Sequence, residues 1–361
     1  MLTLETRTHY RTLHDAHALH GGAQTAIVYL ETARDPIIIT REAFRASVMQ
    51  YGAALQHMGI APRDLVIIAH TQNLESIFAF WGALVIGAVP SMFPTLTEKL
   101  DREIYMHGMA ELVRLSNVRA VLTTDDFAPT LADNVACPVY GSEALKASIQ
   151  VGITPQIHSP RPDEIAFLQH SSGTTGLQKG VALAHDAVLN QLASYSDALK
   201  LSDADVIVSW LPLYHDMGLI AGFLMPLIQG VPLVLMSPFD WVVHPALLLR
   251  AIHEYRGTLC WLPNFAYNHM ALRVRDRDSE GLDLSTMRMF VNCSEPVHEH
   301  SHAAFLERFS ANGITRAMLK VSYAMAENTF AVTQTAPDTP ARLDIIDRAA
   351  LEHERRAVPV E

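Results

Sequence analysis

Cysteine is scarce. The 361 residues hold three, Cys137, Cys260 and Cys293, with no Cys-x-x-Cys spacing, which excludes a disulfide framework and a zinc ribbon. Each stands in an apolar stretch and reads as a small core residue. Basic residues are outnumbered: 27 Lys and Arg against 38 Asp and Glu leave a net charge of −11. No basic surface therefore argues for nucleic acid or an anionic membrane as partner. Long apolar runs are missing too. The longest, from Ile77 to Phe93, is interrupted by Gly82, Gly87, Pro90 and Ser91 and falls short of a membrane span. The first ten residues lack the apolar core of a signal peptide, so the expected location is cytoplasmic. No internal repeat or low-complexity segment is present. With 49% apolar and 18% charged residues, a large buried core is expected, and the length suggests about two domains.

The stretch most specific to chemistry is Ser171-Ser-Gly-Thr-Thr-Gly-Leu-Gln-Lys-Gly180. Apolar runs at 165–168 and 181–184 flank it and are too short for helices, so it reads as the tip between two buried strands. Gly173 and Gly176 can adopt φ > 0 and turn backbone N–H groups toward one point. Ser171, Ser172, Thr174 and Thr175 add hydroxyls, and Lys179 adds a charge that an otherwise acidic protein must supply locally. Together they suit a polyphosphate. This is not a Walker A loop, because Lys179 is followed by Gly180 and a strand rather than by Ser/Thr and a helix. The next helix is expected from Asp186, read as an N-cap.

In chain order, helices are expected over 42–58, 74–87 and 102–115, and strands over 65–69, near Val89 and over 119–123. Strands alternating with helices, without hairpin turns, predict parallel α/β layers. Pro155, Pro160 and Pro162 mark a linker. Beyond it, strands are expected at 206–210, 233–236, 258–262, 289–292 and 318–322. Helices are expected at 219–228, 245–255, 265–272 and 299–309. The division is 1–162 and 163–335 as two α/β subdomains, with 336–361 as a tail.

Three further strings lie where strands end. Trp210-Leu-Pro-Leu-Tyr-His-Asp-Met-Gly218 leaves Tyr214, His215 and Asp216 at a strand mouth, where open α/β sheets gather ligands. Asn292-Cys-Ser-Glu-Pro-Val297 is a strand-to-helix loop carrying Ser294, Glu295 and Pro296, read as a ligand loop, with a capping carboxylate as the alternative for Glu295. Val321-Ser-Tyr-Ala-Met-Ala-Glu327 carries Tyr323, whose flat face suits a base, and Glu327, a hard carboxylate suited to Mg²⁺.

Ser171–Gly180 resembles the phosphate loop of the adenylate-forming superfamily: acyl-CoA synthetases, peptide-synthetase adenylation domains, luciferases and fatty acyl-AMP ligases. The other three strings recur in that family's order and look closest to fatty acyl-AMP ligases. The chain departs at Gln178, where Pro is usual, and at Ala324, where Gly is usual. The resemblance implies a fold of two packed parallel α/β layers. It implies ATP and Mg²⁺ as cofactors, with Lys179, His215 and Glu327 catalytic and Thr175 and Glu327 on the metal. Ser171, Ser172, Gly173, Thr174, Thr175, Gly176, Ser294, Glu295, Pro296, Tyr323, Ala324 and Met325 would hold the nucleotide. Pro263–Tyr267, Trp241 and the run from Leu219 to Leu227 are candidate lining for an acyl group.

The implied reaction is activation of a fatty or other apolar carboxylic acid as acyl-AMP, for transfer to an acyl carrier protein or to CoA. An acyl-CoA ligase and a catalytically silent nucleotide-binding module remain alternatives. The family continues into a small β-subdomain with a ribose-binding Asp and a C-terminal domain with a catalytic lysine. No string here matches either, and the tail resembles an insertion of the fatty acyl-AMP ligases. The expectation is a shortened chain with weak activity alone.

Overall fold

The computed structural model describes residues 10–19, 21–71, 73–97, 100–150, 152–170 and 180–360. Its strands are, in order, β1 (Thr25–Leu30), β2 (Ile37–Thr40), β3 (Leu65–Ala69), β4 (Val89–Met92), β5 (Val118–Thr123), β6 (Val139–Tyr140), β7 (Ile165–His170) and β8 (Gly180–Ala184). They continue as β9 (Ile207–Ser209), β10 (Leu233–Met236), β11 (Leu259–Leu262), β12 (Met289–Asn292), β13 (Leu319–Ala324) and β14 (Ala331–Gln334). Among the described residues they form three sheets. One has eight strands in the order β14-β13-β12-β11-β9-β10-β1-β2, one has four in the order β4-β3-β5-β6, and β7 pairs with β8 alone. The four-stranded sheet is parallel throughout. The interior of the large sheet is parallel as well.

These are the two parallel layers the alternating pattern predicts. Not expected were strand β1, which enters the large sheet beside β10, and the antiparallel strands that close that sheet at both edges, β2 on β1 and β14 on β13. Short strands such as β2, four residues long, give too little periodicity to be recognised. β1 pairs in parallel with β10, so the large sheet takes strands from both sides of the proline-rich linker.

Helix Leu74–Val85 joins the layers. Asn73 and Ser76 form a capping box at its start, and it is buried along nearly its whole length, as a helix sandwiched between sheets must be. Phe80 stands at the junction, its ring 5.7 Å from Phe167 of β7 and 6.1 Å from Phe223. Gly82 lets this helix approach helix Arg41–His57, since a Cβ there would lie 2.7 Å from the Gly52 nitrogen. Helix His185–Leu199 starts one residue before the expected cap. Its N-cap is Ala184, and Asp186 sits inside the first turn with its carboxylate accepting from the Ala187 N–H.

The amino ends of β9 and β12 are latched together. Asp205, buried, takes two bonds from Arg288 at 2.6 and 2.7 Å and one from Thr258 at 2.7 Å. Arg288 also donates to the Leu199 carbonyl. Fully satisfied, the pair fixes the register of the strands whose opposite ends carry the candidate site.

Three histidines are buried in the neutral form. His185 Nδ1 accepts from the Leu13 N–H, His302 Nε2 lies 2.9 Å from the Asn292 amide nitrogen, and His170 Nδ1 lies 2.8 Å from Ser91 Oγ. Burial pushes each down to about 4 from 6.5. Between those values the unfolded chain binds more protons than the folded one, so stability rises with pH across that window. Urea midpoints should be level above about pH 6.5 and fall toward pH 4. A midpoint that stays constant through that range would contradict the assignment.

Candidate active site

Strand order reverses at β9. The chain passes from β9 to β10 on one side and returns to β11 on the other, and open parallel sheets form a crevice at the carboxyl ends of the strands flanking such a reversal. The string after β9 enters that crevice. Tyr214 and His215 place their rings 4.7 Å apart. His215 is solvent-accessible, yet surrounding protein holds its imidazole below its ordinary range by desolvation, as in a concave site. Asp216 is half-buried, and its carboxyl is raised above the usual range, chiefly by burial and further by the charge of Glu327. Its Oδ1 accepts from the Met217 N–H at 2.7 Å.

The segment from Met217 to Leu224 is a π-helix, followed by an α-helix over Met225–Gln229. A single α-helix over 219–228 was expected. Gly218 and Gly222 explain part of the difference. A Cβ at Gly218 would fall 2.1 Å from the Pro212 carbonyl oxygen and one at Gly222 2.6 Å from Ser209 Oγ, so the wider helix packs directly on the strand end. Pro226 then stands in the first turn of the α-helix, where a missing N–H costs nothing. Wide helical turns of this kind cluster at functional sites.

The loop after β12 is held by buried amides. Asn264 Oδ1 accepts from Asn292 Nδ2 at 3.1 Å and from the His298 N–H at 3.0 Å, and Asn264 Nδ2 donates to Ser301 Oγ. Within this frame Ser294 takes φ of 73°, and its hydroxyl reaches Met217 Sδ at 3.7 Å. Glu295 does not point freely at the crevice. Its Oε1 accepts from the Phe265 N–H at 2.5 Å, capping helix Asn264–Arg273, whose own N-cap Pro263 supplies no side-chain bond. Pro296 is exposed beside it.

The third string lies on the β13–β14 hairpin. Tyr323 opposes Thr333, a register shift follows, and a 3₁₀ turn over Ala326–Asn328 carries Glu327. Phe330, buried, anchors the hairpin against Tyr195 at 5.5 Å. Tyr323 is 57% exposed and Met325 40%, while Ala324 is half-buried in extended strand. The backbone at Ala324 thus tolerates a Cβ, although glycine is usual there in the resembled family.

Ser171, Ser172, Gly173, Thr174, Thr175, Gly176 and Lys179 lie outside the described residues. The two strands that bear them are described. β7 and β8 run antiparallel with His170 opposite Gly180, and His170 is fixed to β4 by Ser91 and packs on Phe93 just after that strand, whose ring is 5.2 Å away.

The structure therefore gathers Asp216, Met217, Ser294 and Glu327 at one set of strand ends and turns Glu295 toward a neighbouring helix. Sequence reasoning missed the amide frame of Asn264 and Asn292. Their one signal is that each stands at or just past the end of an apolar strand. Glu295→Ala should lower stability by about 0.5–2 kcal/mol, as loss of a cap does. Chemical denaturation showing no change would refute the capping role.

Residues 14–352 match the AMP-binding enzyme family. A long-chain-fatty-acid–AMP ligase of Mycobacterium marinum is 30% identical over 345 residues, covering 91% of this chain and 58% of the relative. A medium-chain-fatty-acid–[acyl-carrier-protein] ligase of Moorena producens is 34% identical over 303 residues, covering 82% of this chain and 51% of the relative. A crystal structure of a fatty acyl-adenylate ligase from L. pneumophila, in complex with acyl adenylate and pyrophosphate, superposes with a TM-score of 0.86 at 28% identity. It covers 98% of this chain and 62% of that one. The chain thus spans little more than half the length of these relatives. Among the described residues no helix is long and apolar enough to cross a membrane. A family match over nearly all of its length, on two parallel layers with a crevice at a strand-order reversal, shows that this chain belongs to the AMP-binding enzymes, the adenylate-forming ligases.

Proposed function

We propose that the protein activates an apolar carboxylic acid, fatty or otherwise, with MgATP as acyl-AMP, the acyl group then passing to a thiol on a carrier protein. The observation that supports this most is that the carboxyl of Asp216, after β9, is raised in part by the charge of Glu327, from the β13–β14 hairpin that also carries the exposed Tyr323. The carboxylate oxygen attacks the α-phosphorus in line, the bond to the bridging oxygen breaks, and pyrophosphate leaves. No covalent protein intermediate is needed, so the protein contributes positioning and neutralisation of charge.

The donor set fits magnesium. Among the described residues no group of three or more His, Cys, Asp or Glu is placed to hold a metal. Mg²⁺ takes one or two carboxylates and completes its shell from phosphate oxygens and water. Glu327, with Thr175, would hold it, and its chemistry is to neutralise the phosphates. Tyr323 stacks on adenine, with Ser294, Pro296, Ala324 and Met325 around the base. His215 lines the pocket for the substrate carboxylate. Lys179 and the hydroxyls and N–H groups of residues 171–176 hold the outer phosphates. A carrier-protein acceptor is supported by the relative from Moorena producens, named as a ligase to that partner, rather than by any feature of the crevice.

Mass spectrometry of the chain incubated with MgATP and a panel of carboxylic acids tests the proposal. Acyl-AMP should form with apolar acids and not with amino acids, and preferential formation of an aminoacyl adenylate would move the protein to another branch. The residue roles separate by binding. Glu327→Gln should remove the magnesium dependence of ATP affinity and leave AMP affinity unchanged, whereas Tyr323→Ala should weaken AMP and ATP alike. Calorimetric titrations in which Glu327→Gln weakens AMP as much as ATP would contradict the split.

A further inference from the structure

Helix His185–Leu199 begins directly after β8, the strand by which the chain leaves residues 171–179. Further along, one face of it grips the β13–β14 hairpin through side chains one helical turn apart, Gln191 and Tyr195. The Tyr195 hydroxyl donates to Gln334 Oε1 at 2.9 Å and accepts from Trp261 Nε1 at 2.7 Å, and its ring packs on Phe330. Gln191, with its amide nitrogen turned to the hairpin, donates to the Asn328 carbonyl at 2.7 Å and to the Ala331 carbonyl at 3.2 Å. Asn328 Nδ2 donates to the same Ala331 carbonyl at 2.8 Å.

The turn held in this way is one its own sequence disfavours. Thr329, buried, has φ of 67° and ψ of −49°. A β-branched residue takes a positive φ only where its surroundings impose it. Glu327 stands two residues earlier in the 3₁₀ turn Ala326–Asn328 and is exposed, so its direction follows from the backbone beneath it. Relaxation of Thr329 toward negative φ would re-aim that backbone and the carboxylate with it.

We propose that Gln191 is a positioning residue: by clamping the strained turn from the helix that follows β8, it fixes the Glu327 carboxylate relative to residues 171–179, so that one magnesium ion can meet both the carboxylate and the phosphates. The proposal rests on the reading of Glu327 given above and adds the residue that aims it. Outer partners of metal ligands typically matter about 10- to 100-fold in metal affinity. Gln191 acts through the backbone of the turn and not on the carboxylate itself, which puts its effect at the lower end, about tenfold.

Gln191→Met keeps the length of the side chain and removes the donor at a half-buried position. Two measurements on the full chain test the clamp. Without nucleotide, the Thr329 N–H, which donates to the Ala326 carbonyl, should exchange its hydrogen faster in the variant, while the amides of β11 and β12 exchange as in the parent. In calorimetric titrations, the Mg²⁺ concentration that half-maximally strengthens ATP binding should rise about tenfold with AMP affinity unchanged. Unaltered exchange at Thr329, an unmoved magnesium midpoint, or equal weakening of AMP and ATP overturns the proposal. Glu327→Gln serves as the reference. If it leaves the magnesium dependence of ATP binding intact, the reading of Glu327 fails and the proposal with it. If it removes that dependence while Gln191→Met leaves the midpoint in place, only the clamp fails.

Discussion

Everything at the candidate site depends on the reversal of strand order at β9. A strand of three residues sits between β10 and β11, and the chain must leave its carboxyl end into open space because the connections diverge there. That space is kept in shape from the opposite end. Asp205 and Arg288 tie the starts of β9 and β12 within a set of bonds that leaves the buried carboxylate fully satisfied. Removing a single member of such a pair strands a buried charge, which is why these arrangements act as rigid registers. With the strand starts locked, the positions of Asp216 after β9 and Ser294 after β12 follow from the lengths of the strands between.

Packing then brings the second layer to the same place. Phe80, from the helix that joins the sheets, touches both Phe167 of the β7–β8 pair and Phe223 of the π-helix. The pair that frames residues 171–179, the wide helix behind His215 and the four-stranded sheet therefore share one core. His170 extends that link to β4 through Ser91. A change at Phe80 would be felt at several loops at once, because close-packed interiors transmit volume changes instead of absorbing them.

Much of this was legible in the sequence. The strand Leu65–Ala69 and the helices near 41–57, 102–116 and 299–309 stand where periodicity and caps put them, since long amphipathic segments carry strong signals. The strings at 210–218, 292–297 and 321–327 were recognisable because they stand at strand ends and resemble strings of the adenylate-forming family in the same order. What could not be read depends on tertiary contact. β2 and β14 are too short to show a period. The π-helix comes from glycines meeting Pro212 and Ser209, which are neighbours only in space. The capping role of Glu295, read from the sequence as the lesser alternative, emerges only once the Phe265 N–H is seen donating to it, and the stacking of Trp210 on Trp241, 31 positions apart in number, leaves no local trace.

The central claim is that the crevice at these strand ends joins a carboxylic acid to the α-phosphate of ATP. Exchange of labelled pyrophosphate into ATP tests it most directly, because exchange requires the adenylate to form and reverse in the same site. The account predicts exchange only when Mg²⁺ and an apolar carboxylic acid are both present, and its loss in Glu327→Gln. Exchange that proceeds equally without the acid, or that survives the loss of Glu327, would contradict it.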